Sequence, residues 1–588
     1  MQVETKPSHT EVEHAKAKSD YLRGTLVQSL ENGITGALFP DDTHLIKFHG
    51  SYQQTDRDLD SERARQKLEP LYSFMIRVRA PGGVATPEQW LRMDKLADQY
   101  GNSTLKLTTR QAFQLHGVDK RNLKAAIQGF NEVLLDSIAG CGDVNRNVMC
   151  SVNPDESRLH AAMYEVAKAI STAFTPKTQA YTEIWGLSQT EEVETSGSKQ
   201  PEGNWRKIEL AQNDQDDVEP LYGKTYLPRK FKIAMAAPPD NDTDVFANDI
   251  GLIAIEKNGE LSGFNFAAGG GLGMTFGMPE TFPRLADILG FVETKDVVKV
   301  CEAVITLQRD YGNRENRKLS RLKYTIEGMG LDAFKKEVEK RADIEFQAQK
   351  PFQFRHSGDR FGWTQGHSGR FHLTLFVEGG RVIDKSPYLL KTALREVAGL
   401  LHEGEFRLTG NQNLLLGNIL PEQRTAVEAV LERYGVLEPT LRQTALRLNS
   451  IACVALPTCT LAFAEAERYL PQLMDKIEVL LRANNLEKEA INIRMTGCPN
   501  GCGRPYLGEI AFVGKSPGYY NLYLGAAHDG SRLNKLYREM LDETAILREL
   551  EPLLVHYARS RNSGEHFGDF AIRAGYVKAT THGTNFHN

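Results

Sequence analysis

Apolar and polar positions change period several times along this chain, and one succession of periods occurs twice. Residues 74–84 (FMIRVRAPGGV) alternate as a strand and end in a Gly-Gly turn. Residues 87–99 (PEQWLRMDKLADQ) place apolar side chains at helical spacing, and 105–117 (LKLTTRQAFQLHG) alternate again. The same order returns at 371–382 (FHLTLFVEGGRV), 389–402 (LLKTALREVAGLLH) and 406–418 (FRLTGNQNLLLGN). Leu107, Thr108 and Gln111 match Leu408, Thr409 and Gln412 at one constant offset. Two related α+β units are therefore expected to pack about a pseudo-twofold interface, where ligand sites often lie.

Between the copies, YLPRKFKIAM opens a basic, strand-like run over 226–256. GFNFAAGGGLGM (263–274) carries a Gly triplet that does not complete a dinucleotide fingerprint and reads as close backbone approach. After the second copy, Leu461–Tyr469 is expected to be helical, and Pro471 to start a second helix bearing Leu473, Ile477, Leu480 and Leu481. Residues 1–20 are polar and expected to be unstructured or partner-seeking; 186–220 read as an acid-rich surface loop. The GKS at 514–516 is no P-loop, because Glu509 stands where the first Gly belongs.

Composition narrows the classes. At 588 residues, two to four domains are expected. A formal charge of −5 argues against general nucleic-acid or membrane-surface binding, so an anion site has to come from local clustering. No run of about 18 apolar residues predicts a membrane span, and the first residues lack an apolar leader. Seven cysteines, an odd number with four clustered, point to a reducing, cytoplasmic setting with metal or redox thiols.

Those four are Cys453 and Cys459 in a C-x5-C pair and Cys498 and Cys502 in a C-x3-C pair. Three readings stand: an iron–sulfur cluster, which tolerates varied spacing; structural zinc, whose usual spacing only the second pair obeys; and inert buried thiols. Gly497, Gly501 and Gly503 allow backbone to approach a bulky inorganic core and donate N–H groups to its sulfurs. Arg77, Arg110, Arg146, Lys230 and Lys232 lie in four separate segments (IRVR, TTRQ, VNRN, PRKFK), with Arg77 and Arg79 expected on one strand face. Taken singly they read as surface cations; recurring beside turns, they point to an anion pocket.

At these residues the chain resembles the siroheme-dependent sulfite and nitrite reductases. TGCPNGCGRPYLGEIAFVGKSPGYYNLYLG is similar to their cluster motif, and 38 residues separate the two cysteine pairs as in that family. VNRNVMCSVNP, TYLPRKFK, ANDIG and GFNFAAGGGLG resemble its central segment. DYLRGTL, IKFHGSYQQTDRDLDSERARQKLEP and GEHFGDFAIRAG resemble the hemoprotein subunits of assimilatory NADPH-dependent members. The resemblance runs from about Asp20 to Gly575.

It implies an α+β fold of duplicated ferredoxin-like half-domains related by a pseudo-twofold, plus two larger α/β cofactor-binding domains. The expected division is an N-terminal extension at 1–70, half-domain 1 at 71–140, a siroheme and substrate domain at 141–345, half-domain 2 at 346–435 and a cluster domain at 436–588. It further implies that Cys453, Cys459, Cys498 and Cys502 ligate a [4Fe–4S] cluster, with Cys502 bridging to siroheme. Arg77, Arg146, Lys230 and Lys232 would bind sulfite, and Arg110, Gln114, His116 and Asn500 would contact the cofactors. The implied activity is six-electron reduction of sulfite to sulfide. The chain shows no flavin or nicotinamide signature, so electrons would come from an NADPH-dependent flavoprotein subunit, with the polar N-terminus as a docking element. A ferredoxin-dependent sulfite or nitrite reductase is the alternative.

Overall fold

The computed structural model describes residues 9–186 and 219–588, so most of the expected 186–220 loop lies outside the described residues. Both copies of the strand–helix–strand succession are present. In the first, strands Tyr72–Val78, Leu105–Leu107 and Phe113–Val118 flank helix Pro87–Tyr100. In the second, Phe371–Leu375, Glu405–Leu408 and Leu414–Ile419 flank Leu390–Leu400. The first helix starts at a reciprocal cap: Thr86 accepts from Gln89 N at 3.1 Å while the Gln89 side chain accepts from Thr86 N at 3.0 Å. Pro87 occupies its first turn, where no N–H is missed.

The two units exchange strands. Val84–Ala85 leaves the first copy to pair with Phe406–Arg407, and Arg381–Val382 leaves the second to pair with Leu105–Lys106. Each crossing needs glycine. A Cβ on Gly83 would sit 2.2 Å from the Leu408 carbonyl, and one on Gly380 would sit 2.4 Å from that of Leu107. Gln111 and Gln412, matched in the repeat, both hold positive φ, at 51° and 70°. The apolar faces close across the axis, with Trp90 stacked on Phe406 at 4.6 Å and Lys391 and Arg395 of one helix paired with Asp94 and Asp98 of the other. The first sheet also takes an edge strand, Ser51–Thr55, from the expected N-terminal extension, so it runs across the expected boundary at 70.

The duplication continues into two further sheets. Strands Ile233–Ala236, Ile250–Lys257, Glu260–Ala268 and Asp287–Glu293 pair parallel, antiparallel, antiparallel. Ile493–Thr496, Ile510–Ser516, Tyr519–Leu524 and Lys535–Leu541 repeat that order, with Ser450–Ala452 added parallel to the first. Asp249 and Glu509 precede the matching second strands, and their carbonyls accept from Gly269 N at 2.9 Å and Gly525 N at 3.2 Å.

Three expectations are corrected. Residues 461–469 form turns; the helix is Leu470–Ala483. Phe463 N and Ala464 N bond to Gly497 O, and Glu467 N to Cys453 O, so the donors a helix would use serve the cysteine loops instead. Residues 11–18 form a helix whose Lys16 is buried, donating to Leu227 O at 2.8 Å and pairing with Glu13. Arg79 lies past the strand end and is held by Asp136 and Thr175, apart from Arg77.

Candidate functional site

The second cysteine pair sits on the loop after strand Ile493–Thr496, and the first follows Ser450–Ala452 on the neighbouring strand. Parallel pairing therefore brings the two loops to one sheet end. Burial, with neighbouring thiols adding to it, pushes the Cys453 and Cys498 thiols up; Cys502 is the neighbour acting most strongly on both. Cys459 is raised by burial and by Cys502, while the Leu461 and Ala462 N–H groups oppose it. Gly497 N reaches Cys453 Sγ at 3.4 Å, and Asn500 Nδ2 reaches Cys498 Sγ at 3.4 Å. Four thiols within mutual electrostatic reach, with N–H donors on their sulfurs, match the donor set of an iron–sulfur cluster, and binding iron would displace their protons.

The Gly triplet approaches this loop. Met274 N donates to Pro499 O at 3.1 Å, and a Cβ on Gly273 would lie 3.1 Å from Asn500 O. Beneath, Lys323 is buried and donates to the carbonyls of Gly271 (3.1 Å), Gly273 (2.7 Å) and Phe282. The close approach expected from the glycines is thus an approach to the cysteine loop.

Between these loops lies a cavity. Cys502, Asn500, Arg110, Lys230 and Lys232, all expected site residues from distant segments, line it together. Phe231, between the two lysines, is buried, while both lysines keep a partly exposed face. Arg77 and Arg146 are also the partly exposed members of otherwise buried runs, but neither lines this cavity. Arg77 donates to Cys141 Sγ at 2.8 Å, and Arg146 to Gly142 O at 3.2 Å. Gln114 pairs with Arg77 in the ladder and contacts His116 Nε2 at 3.0 Å. His116 is 3% exposed and does not line the cavity, and burial lowers its pKa well below the usual value, so its ring is neutral.

The cavity is electropositive. Burial, then Arg229 and Arg146, lowers Lys230 to about 7. Burial, then Lys230 and Arg110, lowers Lys232 well below its ordinary value. Burial, then Arg146, lowers Arg110 to about 9. Among the described residues neither lysine has a carboxylate partner, and Arg110 Nε and Arg504 Nη1 are buried without a hydrogen-bond partner. Cations crowded into one cavity with spare donors fit a polyanionic ligand, as a multi-carboxylate tetrapyrrole with an oxyanion would be.

Sequence reasoning did not single out Arg504, Arg321, Asn248 or Thr109 of the wall. Arg504 follows the cysteine motif directly, and Asp244 lies 3.1 Å from its Nε. Arg321 also lines the cavity and is clamped by buried Asp249 at 2.9 Å. The basic run RENRKLSRLK held that signal. Asn248 accepts from Arg110 at 2.6 Å, and Thr109 donates to Cys502 O at 3.0 Å.

Comparison with known proteins agrees with this architecture. A family model described as the nitrite/sulfite reductase ferredoxin-like half domain matches residues 66–133 and 364–434. One described as the nitrite and sulphite reductase 4Fe-4S domain matches 185–346. The chain is 56% identical over 579 residues to the sulfite reductase [NADPH] hemoprotein beta-component of Geobacillus thermodenitrificans, covering 98% of each. It is 54% identical over 581 residues to that of Bacillus subtilis, covering 99% of this chain and 98% of the relative. The Mycobacterium tuberculosis NirA structure shares the fold, with a TM-score of 0.73 at 22% identity over 96% of each chain. With both half-domains matched and relatives this similar end to end, the chain belongs to the nitrite and sulfite reductase family.

Proposed function

We propose that the protein is the hemoprotein component of an NADPH-dependent sulfite reductase. Bisulfite, six electrons and six protons become hydrosulfide and three waters. The observation carrying this reading is that Cys502 and the cations Arg110, Lys230 and Lys232 line one cavity. Cys453, Cys459, Cys498 and Cys502 would hold a [4Fe–4S] cluster, and the cavity beside Cys502 would hold siroheme. Side chains carry no such electrons, so these groups supply the redox chemistry.

The residues do the rest. Arg77, Arg146, Lys230 and Lys232 bind and orient the oxyanion, offsetting its charge and weakening S–O bonds by donating to the oxygens. Lys230, lowered to about 7, is poised both to hold a proton and to release it to a departing oxygen. Arg110, Arg321 and Arg504 serve the cofactor carboxylates. Asn500 and Gly497 tune the sulfurs through their N–H groups. Gln114 aligns Arg77, with neutral His116 behind it.

Electrons arrive from a flavoprotein component, a reading supported by the NADPH and the beta-component in the relatives' name. A cytoplasmic location goes with this reading. Among the described residues no helix is long and apolar enough to cross a membrane.

The test is the visible spectrum of the purified protein before and after sulfite, together with iron and acid-labile sulfide analysis. A haem-type spectrum perturbed by sulfite, with cluster iron and sulfide present, is expected; a colourless zinc protein ends the reading. Comparing sulfite with nitrite, and NADPH–flavoprotein with ferredoxin, separates the family's activities.

A further inference from the structure

The loop carrying Cys459 presents large apolar side chains to solvent. Leu461 is 62% and Phe463 47% exposed, while Ala462 and Ala464 between and after them are buried. This is no frayed segment. Phe463 N and Ala464 N are bonded to Gly497 O, and Ala462 O accepts from Arg57 Nη1 at 2.6 Å. Two outward apolar groups are thus held on a fixed frame beside a cysteine of the site. Phe276, from the glycine-rich segment, extends the patch, its ring 6.4 Å from that of Phe463.

The rim is cationic. Lys515 lies 4.2 Å above the Phe276 ring, and Arg57, bonded to Ala462 O, borders the other side. Among the described residues neither has a carboxylate partner, whereas neighbouring Arg468 is held by Asp58 and Glu465. Rigid exposed aliphatic and aromatic groups inside a charged rim are the anatomy of a transient protein interface. Unpaired cations on a chain of net charge −5 select an acidic partner and speed its encounter.

We propose that Leu461, Phe463 and Phe276, rimmed by Arg57 and Lys515, form the surface on which the electron-donating flavoprotein docks, through an acidic face with an apolar centre. This rests on the reading that electrons come from a separate flavoprotein. The position follows from the chemistry: electron transfer weakens steeply with distance, so a donor gains most where a ligand loop of the cluster site meets solvent. The described part of the N-terminal segment is engaged elsewhere, with Lys16 and Glu13 committed to Leu227, Asp143 and Arg314.

The test uses the holoprotein and its NADPH-oxidising flavoprotein. Hydrogen exchange should show protection over 456–466 and 274–280 when the flavoprotein is added. Phe463→Ser and, separately, Lys515→Glu should each raise the KM for flavoprotein roughly tenfold. Both should keep wild-type iron content and wild-type turnover with reduced methyl viologen. Lys515→Glu should also flatten the salt dependence of the flavoprotein reaction. Unchanged KM in both variants, with the wild type turning over with both donors, overturns the docking site alone. Wild-type turnover with viologen but not with NADPH–flavoprotein overturns the donor reading and the docking site with it. Protection that appears with protein concentration and without flavoprotein assigns the patch to a second copy and overturns the proposal.

Discussion

The Thr109 hydroxyl donates to the backbone carbonyl of Cys502 at 3.0 Å. It joins the turn between two strands of the first half-domain to the loop bearing the second cysteine pair, 393 residues away in sequence. Arg110 follows directly and points into the same cavity. One contact therefore sets the cysteine loop and a wall cation in a common frame.

Thr109→Val should cost about 1 kcal/mol through the lost hydrogen bond. It should also weaken sulfite binding, while Thr109→Ser restores both. Thermal unfolding of the holoprotein and sulfite titration followed in the visible spectrum read the two effects.

Lys230 sets a pH dependence. Burial, with Arg229 and Arg146, holds its pKa at about 7, so it is charged below that pH and loses its proton above. Sulfite binding should weaken as pH rises through about 7, by up to about tenfold per unit from this group. Lys230→Met should bind weakly throughout and lose that component of the slope. Equal slopes in wild type and variant would assign it to another group.

Glu467 gives the opposite sign. Burial raises its pKa, but Lys106 and Arg381 outweigh that and hold it at about 2. A depressed folded pKa contributes stability that is present above the unfolded value of about 4.3 and is lost as pH falls through about 2. Glu467→Gln should therefore lose about 3 kcal/mol at neutral pH and converge with wild type in strong acid. Denaturant unfolding at neutral and acid pH checks this. Because Glu467 N bonds to Cys453 O, iron retention should fall in parallel.

Two glycines should respond oppositely to alanine. At Gly83, φ is +79° and a Cβ would meet Leu408 O at 2.2 Å, so Gly83→Ala should destabilise by more than about 2 kcal/mol. Gly399 lies in helix Leu390–Leu400 with nothing within 4 Å of an added Cβ, so Gly399→Ala should stabilise by about 0.5–1 kcal/mol. Calorimetry of the two variants against wild type decides both signs.

Periodicity alone revealed the repeat, because strands and helices carry their apolar residues at local spacings that need no partner. The cysteine pairs and the NRN and RKFK segments likewise announced a metal-and-anion chemistry from residue type. The helix expected over 461–469 failed for a nonlocal reason: its N–H groups are claimed by Gly497 and Cys453. Lys16 lies among the residues expected to be unstructured or partner-seeking, yet it is buried near Asp143, 3.6 Å away, a partner 127 residues distant.

Sequence by itself determined the duplication, the four thiols and most of the cations, since each is written in contiguous residues. Tertiary structure decided which cations share the cavity with Cys502, that Arg79 does not stand with Arg77, and that Arg321 and Arg504 join the wall. It also decided that each half-domain lends a strand to the other and that the pseudo-symmetry reaches Asp249 and Glu509. The reason is physical. Spacing encodes which face a side chain takes within its own element, whereas burial, pairing and pKa depend on segments brought together only when the sheets close.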